Sequence, residues 1–353
     1  MNSIPKQSYD RTKTYAWNFE NAPSPLSESE VPTEIGLKTE FCGLHLNSPL
    51  GIAAGPLLNG KWLLHYAQLG FDFLTYKTVR STVRDCYPLP NLVPIQEAKV
   101  QAGQMAHVSD RMDRSWAISF GMPSRAPDFW RQDIEWTKKR LHNGQLLSVS
   151  VVASAEPNWN MAEVAEDYAR CAKWAAESGA DFVELNLSCP NVSSVDGQLY
   201  QDFESSKLVV ELTRDSVGPN CPIILKIGAF HRESDIQSFL EAIAEHTDAI
   251  SMTNCLACPV SNHETSLLFD GQPRGIGGSA ILEASVTQIA CFKKAIDSGK
   301  FDVELIGVGG IFEAADVAEY LNSGASIVNL ATAVMLDPDV GLKIRRQLQE
   351  KLS

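Results

Sequence analysis

The sequence predicts an α/β protein built on a single (β/α)8 TIM barrel, because short apolar runs alternate with longer amphipathic segments eight times along the chain. The length of 353 residues agrees, since such barrels use about 250 residues and carry insertions within one domain. Continuous apolar runs are typical of parallel strands that helices cover from outside. An open doubly wound sheet has about five or six strands and would not accommodate all eight runs.

The predicted strands are residues 50–54, 72–78, 147–152, 181–187, 223–228, 248–253, 303–307 and 326–331. Helix candidates such as 162–178 and 234–245 have apolar residues recurring three and four positions apart. Residues 1–40 are predicted to be an N-terminal arm, and residues 41–353 the barrel domain. The long segment 79–127 follows strand two without a regular pattern, and we interpret it as an insertion or active-site lid. A plain surface excursion fits its composition equally well.

Composition excludes several function classes. The chain is 44% hydrophobic and 21% charged, as in an ordinary globular protein, and its net charge of −13 argues against nucleic acid or an anionic membrane as partner. No run approaches the roughly 20 apolar residues of a membrane helix, and the N-terminus has no apolar signal core. We therefore expect a cytoplasmic protein.

The eight cysteines are scattered, which fits reduced thiols better than a disulfide framework. Cys255 and Cys258 form the only close pair in the sequence. Structural zinc and iron–sulfur sites usually take four ligands, and no second pair lies near this one. We therefore expect no metal.

The segment 183–191 is the most informative, because an apolar strand opens directly into polar, reactive residues. Asn186 and Asn191 can both donate and accept hydrogen bonds to a planar heterocycle, and Cys189 can act as a thiolate. A strand that merely ends in a polar loop is the alternative, and this segment alone does not decide between them.

In a barrel the carboxyl ends of all strands meet at one mouth, where active sites lie. Lys77 and Lys226 end two predicted strands, and a buried ammonium costs several kcal/mol unless an anion compensates it. The glycine-rich stretch 307–311 and the stretch 331–333 each precede a predicted helix, as in barrel phosphate sites, although a tight turn would explain the first alone. Together these features predict an anionic cofactor.

These residues resemble the dihydroorotate dehydrogenase family, which are FMN enzymes on a (β/α)8 barrel. The most specific pieces are Asn-Leu-Ser-Cys-Pro-Asn at 186–191, Arg-Gly-Ile-Gly-Gly at 274–278, Gly-Val-Gly-Gly-Ile at 307–311 and Ala-Thr-Ala at 331–333. The resemblance implies FMN as cofactor, with flavin contacts at Ala53, Ala54, Gly55, Lys77, Thr78, Asn186, Lys226, Thr253 and Cys255. It implies contacts to the ribityl phosphate end at Gly277, Gly278, Gly309, Gly310, Ala331 and Thr332.

The resemblance also implies the reaction, which is oxidation of dihydroorotate to orotate in pyrimidine biosynthesis. Cys189 would be the base, with hydride transfer to flavin N5. Substrate contacts would be Lys77, Ser119, Gly121, Met122, Asn186, Asn191 and Asn254. A cysteine base is similar to the soluble class of the family, which implies a soluble electron acceptor or a partner electron-transfer subunit. The family pairs its subunits, and the arm residues Trp17, Phe19 and Pro23 are candidates for a homodimer contact.

The substrate loop departs from the family pattern, since Ile118 and Ser124 stand where asparagines are usual. Losing a hydrogen bond to a charged ligand group costs about 1.5–3 kcal/mol, or roughly ten- to a hundredfold in affinity. The first alternative is therefore the same flavin chemistry on a different cyclic amide or dihydropyrimidine. A remote alternative is a non-redox phosphate-binding aldolase or isomerase with Lys77 or Lys226 in the chemistry.

Overall fold

The computed structural model describes residues 7–24, 38–188, 198–262 and 266–352. Eight parallel strands close into a barrel, each paired with the next and the last with the first. They are β3 (Leu50–Ile52), β4 (Phe73–Val79), β8 (Leu146–Val151), β9 (Phe182–Asn186), β10 (Ile223–Lys226), β11 (Ala249–Met252), β15 (Glu304–Val308) and β16 (Ile327–Leu330). The predicted (β/α)8 barrel is confirmed, and every predicted run overlaps one barrel strand.

A helix follows each barrel strand and covers it from outside, and a further short helix lies in the N-terminal arm. They are α1 (Tyr15–Glu20), α2 (Gly60–Ala67), α3 (Pro127–Lys138), α4 (Met161–Glu177), α5 (Phe203–Val217), α6 (Glu233–Ile243), α7 (Leu282–Gly299), α8 (Ala314–Asn322), α9 (Thr332–Leu336) and α10 (Val340–Leu352). The two helices predicted by position, α4 and α6, lie within two residues of their predicted bounds at each end. Helix α4 is capped by Asn160, whose side chain and that of Glu163 form a reciprocal capping box. Among the described residues, no helix combines the length and apolarity needed to cross a bilayer.

The segment after β4 is more regular than its sequence indicates. It contains β5 (Leu92–Pro94), β6 (Ala106–His107) and β7 (Ser115–Ile118), and β7 pairs antiparallel with both β5 and β14 (Arg274–Gly278). Strands β5, β7 and β14 form a four-stranded sheet together with β12 (Leu256–Cys258). Strand β13 (Val260–Ser261) pairs with β6 in a separate sheet. No local pattern indicates these strands, because they are short and their partners lie far away in the sequence.

Two layers of side chains fill the barrel interior below its mouth. The lower layer is apolar and includes Phe73 and Phe182, which contact Phe41 from the hairpin of β1 (Thr39–Phe41) and β2 (Leu44–Leu46). Because side chains alternate along a strand, the residues two positions further on also face inward. These form a polar layer of fully buried side chains: Thr75, Ser148, Glu184, Ser251 and Asn329. Barrel interiors are usually filled by branched aliphatic side chains, so this layer is unusual.

The N-terminal arm packs on its own barrel. The ring of Phe19 lies 5.7 Å from that of Phe129, and Asn59 Nδ2 donates to the Phe19 carbonyl at 2.8 Å. Phe19 and Pro23 are buried, whereas Trp17 is 38% exposed. Of the three arm residues considered for a subunit contact, two are therefore occupied within the chain.

Candidate active site

A cavity of about 1050 Å³, open to solvent, lies at the carboxyl ends of the barrel strands. Strand ends supply one part of its wall, and the β7–β14 sheet with the loop after β7 supplies the other. Predicted residues in the lining are Ala53, Ala54, Gly55, Lys77, Thr78, Gly121, Met122, Asn186, Lys226, Asn254, Cys255, Gly277, Gly278, Gly309, Gly310, Ala331 and Thr332.

Two predicted site residues lie outside this lining. The Ser119 hydroxyl faces away and accepts a hydrogen bond from Arg274 Nε at 2.8 Å, while Thr253 Oγ1 accepts one from Gln288 Nε2 at 3.3 Å. Their types match the family pattern, but their side chains support neighbouring residues. Cys189 and Asn191 lie outside the described residues.

The cavity also contains residues that the sequence did not single out as ligands. These are Pro56, Leu92, Trp116, Ile118, Phe120, Ile281, Val308, Ile311, Asn329 and Met335. All but Asn329 are apolar, and Leu92 and Trp116 reach the cavity through the long-range pairing of β5 and β7, so no local signal marks these two. Asn329 is different, because it is the one polar residue of strand β16, and an amide in an apolar strand is a signal.

Lys77, at the end of β4, lies between two aromatic rings. Its Nζ is 5.0 Å from the ring centre of Phe120 and 5.5 Å from that of Tyr15 in α1. Aromatic faces attract cations by about 0.5–2 kcal/mol, depending on how dry the site is. The rings thus stabilise the ammonium at the cavity wall, and one of them comes from the N-terminal arm.

Lys226, at the end of β10, is buried in the cavity floor, and its Nζ donates to Ser251 Oγ at 3.2 Å. Burial lowers the pKa of Lys226, while the nearby Glu184 carboxyl and, less strongly, the Cys255 thiol act to raise it. Burial raises the pKa of Glu184, and Lys226 opposes that effect most strongly. The floor therefore holds a buried acid and a buried base that stabilise each other's charge.

Two carboxamides fix the chain just before Cys189. Asn186 Oδ1 accepts from the backbone N–H of Ser188 at 3.3 Å, and Asn254 Nδ2 donates to the Ser188 carbonyl. The carbonyl of Asn186 accepts from the hydroxyl of Tyr168 at 2.8 Å. The backbone preceding Cys189 is thereby held at the edge of the cavity.

Four glycines, Gly277, Gly278, Gly309 and Gly310, bring backbone close to the cavity. Gly278, Gly309 and Gly310 have φ of 99°, 120° and 79°, a region that favours glycine. A Cβ on Gly310 would lie 2.8 Å from the backbone nitrogen of Leu282, where α7 begins. The loops before α7 and α8 therefore meet tightly at one side of the cavity, as an anion-binding site built from backbone requires.

The two cysteines of the close pair lie in different surroundings. Cys255 lines the cavity, whereas Cys258 is buried in β12 and its thiol donates to the Gln101 carbonyl at 3.3 Å. Burial raises the pKa of Cys258 to about 11, so it stays a thiol at neutral pH. No cluster of three potential metal ligands occurs in the part of the chain that the structure describes.

The substrate loop is tied to the segment after β4. Arg80 Nε donates to the Met122 carbonyl at 3.2 Å, its Nη1 donates to the Ala153 carbonyl, and its backbone N–H donates to Ser124 Oγ at 3.0 Å. Ser124 and Arg84 also exchange two backbone hydrogen bonds. Met122 has a φ of 52°, a conformation that costs a non-glycine residue about 1–2 kcal/mol. Arg80 thus holds a strained cavity-lining residue in place.

Replacing Arg80 with methionine should raise the KM for the ring substrate at least about tenfold while leaving the cofactor content unchanged. The change leaves two buried carbonyls without their donor, at about 1–3 kcal/mol each, and frees Met122 to relax. Steady-state kinetics and the absorbance of the purified protein measure both quantities. Arg84→Met, in the same segment but half-buried, is the matched control. Equal KM values for the two variants would contradict the role given to Arg80.

The fold and cavity define a class, that of (β/α)8-barrel enzymes that hold a large anionic ligand at the barrel mouth. The dihydroorotate dehydrogenase family model matches residues 36–352. The dihydroorotate dehydrogenase of Dictyostelium discoideum is 31% identical, over 96% of this chain and 97% of that protein. A dihydroorotate dehydrogenase (quinone) of Polynucleobacter necessarius is 24% identical, over 97% of this chain and 92% of that protein.

A crystal structure of DHODH from Eimeria tenella in complex with ferulenol has the same fold, with a TM-score of 0.75 at 18% identity over 96% of this chain and 89% of that one. The chain belongs to the dihydroorotate dehydrogenase family. It is an oxidoreductase acting on CH–CH bonds, and FMN is the cofactor of this family. The aldolase or isomerase alternative is therefore wrong.

The cavity residues fit FMN. A Cβ on Gly277 would point into the cavity, 3.0 Å from Ile118 Cδ1 and 3.6 Å from Thr332 Oγ1, so glycine there leaves room for a ligand beside the backbone. Asn329 is fully buried in the lining, and neither its amide nitrogen nor its oxygen has a hydrogen-bond partner among the described residues. A heterocycle with both donors and acceptors can satisfy such a group.

Proposed function

We propose that this protein oxidises dihydroorotate to orotate, with bound FMN as the primary oxidant. One observation carries the proposal. Lys77, Asn186, Lys226 and Asn254 come from four different strand ends and line one cavity together with the glycines of the predicted phosphate site. This places cations, amides and an anion cradle around a single ligand-sized space.

The proposed roles follow position in the cavity. Gly277, Gly278, Gly309, Gly310, Ala331 and Thr332 hold the phosphate end of FMN, and Ala53, Ala54, Gly55, Thr78, Asn186, Lys226 and Cys255 line its ring system. Lys77, Gly121, Met122, Asn186, Asn191 and Asn254 orient the substrate. Ser119 and Thr253, whose side chains point elsewhere, support Arg274 and Gln288 instead.

In the proposed reaction, the Cys189 thiolate takes one ring proton of dihydroorotate and becomes a thiol. FMN, held by the residues named above, would supply the two-electron oxidation as hydride acceptor through its N5, and the product would be orotate. A free thiol, with a pKa of about 8.5, needs help to act as a base at neutral pH. The Lys77 ammonium at the cavity wall is the proposed source of that help.

A second candidate substrate is another dihydropyrimidine or cyclic amide without the charged group of dihydroorotate. Ile118 and Phe120 both line the cavity, so an apolar wall stands where the family pattern has a carboxamide. Such a wall favours an uncharged ring substituent.

For the second half-reaction we propose a soluble electron acceptor or a partner electron-transfer subunit, on the strength of the cysteine at position 189. Anaerobic reoxidation of the reduced protein by a soluble dicarboxylate, by NAD⁺ and by a short-chain quinone compares the acceptor classes. Fastest reoxidation by the quinone would overturn this part of the proposal.

The decisive test is an anaerobic absorbance titration of the purified protein with L-dihydroorotate. We expect a yellow protein whose oxidised flavin band bleaches with one equivalent of substrate per flavin. A yellow protein that bleaches only with uncharged dihydropyrimidines would select the second candidate. A protein that binds no flavin would overturn both.

A further inference from the structure

Glu184 is an unexpected residue for the centre of a barrel. It belongs to the polar layer, and its side chain is fully buried. The hydroxyls of Ser150 and Ser251 lie close enough to lower its pKa, yet neither carboxyl oxygen has a hydrogen bond of normal geometry among the described residues. The two hydroxyls are therefore weak partners of the carboxyl. A carboxyl so poorly satisfied destabilises the fold, a cost that an apolar side chain would avoid.

The group that accounts for Glu184 lies on the neighbouring strand β10. Lys226, on the neighbouring strand, reaches the cavity floor, and its Nζ donates to Ser251 Oγ, the hydroxyl that also faces Glu184. The groups around Lys226 are Glu184 from β9 and Ser251 and Cys255 from β11 and its end. Among these, only Glu184 is a carboxyl that can carry a full negative charge beside Lys226.

We propose that Glu184 is a positioning residue that keeps the Lys226 ammonium charged at the floor of the flavin cavity, with Ser251 between them. A fully buried lysine without a counter-charge loses its proton readily. Replacing the acid by an amide of the same shape therefore removes two charges, because the lysine becomes neutral as well. The consequence for flavin chemistry rests on the proposed function, whereas the charge of Lys226 does not.

The flavin-independent test measures the charge of Lys226 in the protein freed of FMN. Lysine labelled with ¹³C at Cε gives a ¹H–¹³C signal whose position reports protonation, and Lys226→Met identifies the signal by its loss. At pH 7.5 we expect the signal at the ammonium position in the native chain and at the amine position in Glu184→Gln. An ammonium signal in Glu184→Gln would overturn the proposal.

The flavin-dependent test is the midpoint potential of the loaded protein. A cation beside the ring favours the reduced, more negative flavin, so Glu184→Gln and Lys226→Met should both weaken binding of the reduced relative to the oxidised form at least tenfold. For a two-electron couple this lowers the potential by about 30 mV. The midpoint potential of the double variant should be no lower than that of either single variant, since both substitutions remove the same cation.

Ser148→Ala is the matched control, because Ser148 is equally buried in the polar layer but lies on β8, away from Lys226. It should change neither readout. If Glu184→Gln does not fold, Ser251→Ala can replace it, because this variant keeps both charged groups. It should shift the Lys226 signal and the midpoint potential in the same direction as Glu184→Gln, but by less. No shift in either would overturn the proposal. A native protein that shows the ammonium signal but binds no FMN would instead contradict the proposed function alone.

Discussion

Replacing Cys189 with alanine is expected to slow flavin reduction by dihydroorotate by about 10²- to 10⁴-fold, the usual contribution of a general base. FMN content should not change, because Cys189 is not among the proposed flavin contacts. Anaerobic stopped-flow absorbance measures the reduction rate directly and separates it from reoxidation. Raising the pH cannot rescue this variant, since alanine has no proton to lose.

The matched control is Cys291→Ala, which removes a partly exposed thiol from α7, away from the cavity. Its reduction rate should equal that of the native chain. If Cys189→Ala reduced its flavin as fast as this control, another group would have to be the base.

Replacing Gly278 with alanine should cause the largest loss of stability. Its φ of 99° disfavours any side chain, and a Cβ would lie 2.0 Å from the backbone oxygen of Arg114 and 2.7 Å from the Cα of Ser115. Backbone cannot move away without breaking the β7–β14 pairing, so we expect a loss of at least about 3 kcal/mol in the free energy of unfolding. Thermal unfolding of the FMN-free protein gives this value.

Gly277→Ala separates stability from ligand binding. Its Cβ would meet only the ends of side chains, the nearest being Ile118 Cδ1 at 3.0 Å, and would enter the cavity. We expect nearly native unfolding with FMN affinity at least about tenfold weaker, measured by flavin fluorescence. Equal unfolding temperatures for the two alanine variants would show that the overlap at Gly278 is relieved without cost.

The barrel was predictable because each of its strands lies in a short, predominantly apolar run, and the polar residues that end those runs converge by topology alone. Lys77, Asn186 and Lys226 could therefore be assigned to one mouth from sequence. Trp116 and Leu92 could not, because they reach the cavity through pairing of β7 with β5 and β14. Such pairing depends on contacts between distant segments, which no local pattern encodes.

The altered substrate loop shows a second limit of sequence reasoning. Ser124 looked like a lost ligand, but its hydroxyl accepts from the backbone of Arg80 and so anchors the loop. Ile118 does line the cavity, so there the sequence indicated a real change in the wall. Comparison with the family pattern shows that a residue has changed, whereas its new hydrogen-bond partner is visible only in the structure.

The β7–β14 pairing also limits how specificity in this protein can be exchanged with that of a relative. Ile118 pairs with Gly275 and Trp116 with Gly277, so one ladder of backbone hydrogen bonds joins the substrate loop to a glycine strand of the cofactor cradle. A graft of residues 80–124 alone would place a foreign strand against a native one and leave backbone groups unpaired wherever the registers differ. Transferring substrate specificity from a relative therefore requires that residues 80–124 and β14 be exchanged together.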